Sequence, residues 1–254
     1  LVLTSGNADN GGAVAVLADS RLRIQSCWLV GNRAKEHGGA IYAHAGQVEV
    51  RRSRLETNFA AMGGAILLKG TATAVLEHTL IHDNKNRPGS NSAIWLDEGA
   101  SLDVRHSTVA YNIGHGVYLR PKPRGPTPRL RVESSIVTGG PNAISVPRSK
   151  ASQVQVYNSV LYGAIGFISL DLKSKRELAR FDLTGKERYR PTLGSPAIQL
   201  GRCTTASSRR DLNGTSRPRH CTAGALEASP AHIRKTLKAW AKIRRAKRKS
   251  TNWW

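Results

Sequence analysis

His44, Lys69, Asp97 and Arg120 are the ionisable residues whose placement most invites chemistry. Each ends a short apolar run that follows a small residue: Gly39 before AIYAH, Gly64 before AILLK, Ser92 before AIWLD and Gly116 before VYLR. Two residues before each stand Tyr42, Leu67, Trp95 and Tyr118. In extended backbone alternate residues share a face. With Ile41, Ile66, Ile94 and Val117 inward, all eight of these residues face out. Aromatic faces stack on sugar rings or bases, and a neighbouring Lys or Arg suits a carboxylate on the ligand. Tyr42, Trp95, Tyr118, Asp97 and Arg120 are therefore the candidate substrate-binding residues. Proton abstraction beside a uronate carboxylate needs a base and a positive group to neutralise that carboxylate. Lys69 or Arg120 is the candidate base, with His44 as the alternative. A calcium site wants several oxygen ligands, and only Asp97 with Glu98 is on offer. A glycosidase needs two carboxyls at a set separation, and Asp97 has no outward carboxyl partner on its strand. No metal or cofactor site is read from the residues, and calcium enters only if the chain is a lyase.

The elements that must hold these residues repeat. The pairs Leu22/Ile24, Val48/Val50, Ala74/Leu76, Leu102/Val104, Leu130/Val132 and Val154/Val156 open successive units, stepping by 26, 26, 28, 28 and 24 residues. Five residues after each opener comes a small residue: Cys27, Ser53, Thr79, Ser107, Ser135 and Ser159. Two further on is an aliphatic: Leu29, Leu55, Ile81, Val109, Val137 and Leu161. A fixed period in this range marks a solenoid, whose units bury their apolar faces against their neighbours. Three strand signals per unit and no helical period between them predict a parallel β-helix of about six to seven coils. Asn32, Asn58, Asn84 and Asn112 then stack as an amide ladder. Cys27, in the small inward slot, is expected to be a buried thiol. The outward residues Arg51, Glu77, Arg105 and Glu133 alternate in sign, as do Arg23 and Glu49, so these charges are assigned to coil-to-coil pairing.

Three regions follow: coils over 1–168, a capping segment over 169–228 and a basic tail over 229–254. The tail carries nine of the 39 Lys+Arg and no acid, so residues 1–227 keep +13 of the total +22. Pro230 is placed to open a helix there, with Ile233, Leu237 and Trp240 on one side, and Trp253-Trp254 closes the chain. So strong a positive field favours polyanionic partners: acidic polysaccharide or an anionic surface. Nucleic acid is set aside for want of a recognised module. No apolar run reaches the roughly 18 residues of a membrane span. The first residues already lie inside a coil, so a preceding export signal and further coils are expected. Cys203 and Cys221 flank a Gly/Pro/Arg-rich loop that they are placed to close, although spacing alone leaves the pairing open.

GNRAKEHGGAIY and TNFAAMGGAIL resemble the coils of secreted, right-handed parallel β-helix proteins of the pectin-lyase-like kind. FDLTGKERYRPTLGSPAIQLG followed by CTTASSRRDLNGTSRPRHCTAGALE resembles the terminal segment of bacterial members called choice-of-anchor Q proteins. The matching pieces are Ser195-Pro196-Ala197, Asp211-x-x-Gly214-x-x-Arg217-Pro218 and Gly224-Ala225-x-Glu227. The resemblance covers roughly residues 1–228. It implies an all-β right-handed solenoid, secretion to the extracellular space or periplasm, a Cys203–Cys221 disulfide, and a terminal segment that caps an open coil end. It also implies a ligand cleft along the Tyr42–Tyr118 face. For function it leaves three expectations: acidic-polysaccharide binding, a pectate-lyase-like β-elimination, or an adhesin-like structural module. Gln199 and Thr222 stand where the family carries acids, which removes any metal or acid role from those positions.

Overall fold

The computed structural model of the chain describes residues 1–89, 92–122, 124–146, 153–165, 174, 181–182, 189–192, 195–198, 200–205 and 207–228. The tail over 229–254 and its expected helix lie outside these residues, as does the region around 173.

The chain winds as an all-β parallel solenoid of about six turns. Wall 1 stacks Val14–Val16, Ile41–His44, Ile66–Lys69, Ser92–Asp97 and His115–Arg120. Wall 2 stacks Arg21–Gln25, Gln47–Arg51, Thr73–Glu77, Ser101–Arg105, Arg129–Glu133 and Gln153–Tyr157. Wall 3 stacks Val2–Thr4, Trp28–Val30, Arg54–Glu56, Leu80–His82, Thr108–Ala110, the long strand Ile136–Ser145 and Val160–Ile165. That long strand also pairs with His115–Arg120, so walls 1 and 3 form one sheet. Every neighbouring pair inside the walls is parallel and joins the residues that the repeat aligns: Leu22, Val48, Ala74, Leu102, Leu130 and Val154 in wall 2, and Ile41, Ile66, Ile94 and Val117 in wall 1.

A further, four-stranded sheet lies beyond the three strands expected per coil. Asn7–Asn10, Arg33–His37, Phe59–Ala60 and Lys85–Asn86 pair at the corner between walls 3 and 1. After each Asn turn the backbone stays extended long enough to meet the next coil. Coil contact at this corner is so close that a Cβ on Gly39 would lie 2.0 Å from the Gly64 carbonyl oxygen, which explains the glycine there.

Leu29, Leu55, Ile66, Ile81, Ile94, Val109 and Val137 fill the interior with no exposed surface. Truncating one of these Leu or Ile side chains to Ala costs about 2–5 kcal/mol through lost contact and the void left behind. Polar ladders close the corners. Each Asn side chain accepts from the preceding Asn: the Asn32 amide N–H and Nδ2 both donate to Asn58 Oδ1 at 3.0 Å, and Asn58 repeats this on Asn84 at 3.0 and 2.9 Å. The small slot forms a second ladder, with Thr79 N donating to Ser107 Oγ at 3.0 Å and Ser107 N to Ser135 Oγ at 3.1 Å. Cys27 departs from expectation. It is half-buried, its Sγ turned to the Gln25 carbonyl at 3.1 Å, and among the described residues the wall-2 strand before it is at the edge of its sheet.

The described residues between 189 and 228 lie along the outer side of wall 3. Leu80 packs on Tyr189, Leu212 and Ala225, and Ile136 with Val160 on Ala197 and Ala223. Ala225 N donates to Thr108 Oγ1 at 2.9 Å, Gly224 N to the Ser134 carbonyl at 2.8 Å, and Tyr189 Oη to Asp83 Oδ2 at 2.7 Å. The reason is in wall 3 itself, whose outward residues Leu80, Ile136 and Val160 are apolar and need a cover. The Cys203–Cys221 disulfide is present. The motif residues beside it are structural: Asp211 accepts from the Asn213, Thr215 and Glu227 amides, and buried Arg217 donates to the Thr222 and Gly224 carbonyls.

Candidate functional site

Wall 1 brings the sequence-nominated residues into two files. Tyr42, Leu67, Trp95 and Tyr118 align coil on coil, and so do His44 with Lys69 and Asp97 with Arg120. All face outward. Adjacent coils are about 4.8 Å apart, so each file runs about 15 Å along the axis.

Outward did not mean exposed. Tyr42 and Trp95 keep only 9% and 8% of their surface and Leu67 2%, with Met62 and Tyr118 packed against them. The aromatic file is thus a small outer core rather than a row of open platforms. Two histidines that the sequence reading missed complete it. His37, ending a corner strand, stacks on Tyr42 at 5.8 Å, and His115 stacks on Tyr118 at 5.8 Å. Their only sequence signal is position, just before the glycine or at the start of the wall-1 strand. Burial holds the His37 imidazole below its ordinary value; the charges of Lys69 and Arg120 add to this, against Glu36 and Asp97. Burial likewise pushes the Tyr42 hydroxyl up, helped by Glu98 and Asp97.

The charged file is more open and partly committed. Arg120 grips both oxygens of Asp97, donating from Nε at 3.0 Å and also from Nη2, and lies 5.6 Å over the Trp95 ring. This hydrogen bonding holds its proton more tightly than usual. Asp97 is buried beneath the pair. Glu98 is held by Lys122. With Asp97 and Glu98 both engaged by cations, the donor set does not fit calcium, and no step is routed through one. Lys69 and His44 make no ion pair among the described residues. The Pro-rich loop after Arg120 forms a rim: Glu98, Lys122, Arg124, Gly125 and Pro126 bound a hollow of about 530 Å³, with Pro126 against Gly99.

Wall 2 bears out its structural reading in part. Arg23 meets Glu49 at 2.8 Å and Arg51 meets Glu77 at 3.2 Å across coils. Arg105 and Arg131 instead turn to Asp103 and Glu133 on their own strands. Desolvation alone would raise the Glu49 carboxyl, but Arg23 and Arg51 outweigh it and hold it low.

A family described as "Right handed beta helix region" matches residues 5–161, more than half of the chain. No curated protein matches it significantly.

Proposed function

The chain belongs to the right-handed β-helix family, and from that premise we propose that wall 1 binds acidic polysaccharide or an anionic cell surface. The carrying observation is the in-register file of His44, Lys69 and Arg120, continued by Lys122 and Arg124 around the hollow beside it. Arg120, preset by Asp97, offers its remaining N–H groups to a carboxylate without first having to be ordered. The buried aromatics stiffen the floor on which these cations stand, and Tyr118 alone of the aromatic file is only partly buried. The disulfide suits an exported protein in an oxidising compartment, and no helix among the described residues is long and apolar enough to cross a membrane.

Binding to polygalacturonate, followed by titration calorimetry, is the test. Affinity is expected to fall steeply with salt, because screening shortens the reach of each charge from about 30 Å at 0.01 M to about 3 Å at 1 M. Lys69→Ala with His44→Ala is expected to weaken it at least tenfold. Salt-independent binding, or no loss in the double variant, overturns the reading.

A lyase is the second reading, favoured by one observation: Lys69, between His44 and Asp97 in the file, makes no ion pair among the described residues. Its amine would take the proton beside the uronate carboxylate while the bond to the glycosidic oxygen breaks and that oxygen takes a proton from water. New ultraviolet absorbance from the unsaturated product would establish it; none across a uronate panel removes it. An adhesin-like module, with the same face meeting a protein, is the outcome if neither polymer binding nor turnover is seen and the chain self-associates at low salt.

A further inference from the structure

Wall 2 carries a second hollow, of about 290 Å³, on a different side of the solenoid from wall 1. Arg21, Arg23, Gln47, Val48, Glu49, Arg51, Thr73, Val75 and Arg105 line it. Its origin is legible in the register. The middle outward file reads Arg23, Glu49, Val75, Asp103, Arg131. Val75 is the short, uncharged member, flanked on both sides by acids, so the side-chain layer sinks there and Val75 becomes the floor.

The two banks differ. On one, Arg21, Gln47 and Thr73 are register partners and all exposed. None of the three side chains makes a hydrogen bond or ion pair among the described residues. On the other stand Arg51 and Arg105, two coils apart, about 10 Å by the spacing of parallel strands. Each is steadied by carboxylates, Arg51 by Glu49 and Glu77, Arg105 by Asp103. A guanidinium has five N–H donors in a fixed fork, so those contacts leave donors over while fixing the direction in which they point. Donors left over on both banks border a floor of Val75, with the Glu49 carboxylate held by Arg23 and Arg51 beside it, in a field of net +22.

We propose that this hollow binds a tetrahedral oxyanion, a sulfate or phosphate group, with the carrier's apolar part resting on Val75. A planar carboxylate satisfies one fork, whereas donors arriving from opposite banks suit an anion whose acceptor oxygens point in several directions. This site is independent of the acidic-polymer face on wall 1.

The test is titration of the intact chain with inorganic sulfate and inorganic phosphate, read from the arginine Nε–Hε resonances, in the wild type and two variants. Arg21→Gln removes a side chain with no structural partner. Val75→Lys fills the hollow and places a cation between Glu49 and Asp103, completing the alternation of sign. Sulfate or phosphate is expected to move the Arg21 and Arg105 signals, and each variant to weaken that binding at least tenfold, with polygalacturonate affinity unchanged. A sulfated disaccharide against a phosphorylated monosaccharide then distinguishes the two sources. Binding by Val75→Lys that equals or exceeds the wild type means that bulk positive charge, not a built site, attracts the anion, and overturns the proposal. So does the absence of shifts at both arginines. Loss of polygalacturonate binding with oxyanion binding intact would instead count against wall 1 alone.

Discussion

Asn58→Ala probes the stacking on which every file depends. The Asn58 side chain is fully buried and makes four bonds: it accepts from Asn32 N and Asn32 Nδ2, each at 3.0 Å, and donates to the Leu29 carbonyl at 3.0 Å and to Asn84 Oδ1 at 2.9 Å. Truncation removes all four and strands the Asn32 amide N–H, while the Leu29 carbonyl keeps its place in the ladder with Leu55; each lost bond costs about 1 kcal/mol net. The amide also leaves a small void. A loss of about 4 kcal/mol follows, read as a lowered urea midpoint by circular dichroism. Asn58 and Asn84 share a bond, so the Asn58→Ala/Asn84→Ala pair is expected to be less damaging than the sum of its singles. Asn112→Ala, at the half-exposed end of the ladder where water can substitute, is expected to cost about half as much. A loss below about 1 kcal/mol for Asn58→Ala, or strict additivity in the double variant, refutes a cooperative ladder.

Further outcomes follow from other groups. His106 is buried against His78, and burial first, then the charge of Arg217, lowers its imidazole to about 2. The unfolded ring takes a proton near pH 6.5 and the folded ring does not, so stability falls as pH drops below about 6.5, by about 2.7 kcal/mol at pH 4.5; His106→Gln is expected to flatten that limb of the pH–stability curve, and an unchanged limb contradicts the assignment. Reducing Cys203–Cys221 opens a loop of 18 residues and is expected to lower stability by about 3 kcal/mol, with proteolysis appearing first in residues 200–228; cleavage starting in the coils instead would deny that the segment is a separate cover. Asn86 occupies the inward corner position held by Ala60 in the coil before it, yet neither its Oδ1 nor its Nδ2 has a partner among the described residues. Asn86→Ala is therefore expected to raise the melting temperature, by an amount corresponding to about 1 kcal/mol or more, and a fall would show that its polar atoms are satisfied in solution.

The coil path was legible because period-two side chains and a period of 24 to 28 residues give the same register from independent columns: apolar openers, small slots and asparagines. The wall-1 files followed from that register and were found as read. Exposure was not legible. Whether Tyr42 and Trp95 are open depends on Met62, His37 and the corner sheet, whose strand lengths vary from coil to coil. Pairing was legible only where both partners share a column, as for Arg51 and Glu77; the turn of Arg105 to Asp103 reflects a side-chain choice between two near acids. The position of residues 189–228 was hidden because the outward apolar residues Leu80, Ile136 and Val160 look like ordinary strand residues until the wall they share is known.

The most direct measurement is a residue-by-residue NMR footprint of a galacturonate tetramer on the intact chain. The proposal for wall 1 predicts salt-sensitive shifts at His44, Lys69, Tyr118 and Arg120, with Arg51 and Arg105 on wall 2 unmoved. Shifts confined to wall 2, or scattered over the surface without regard to wall, would contradict it.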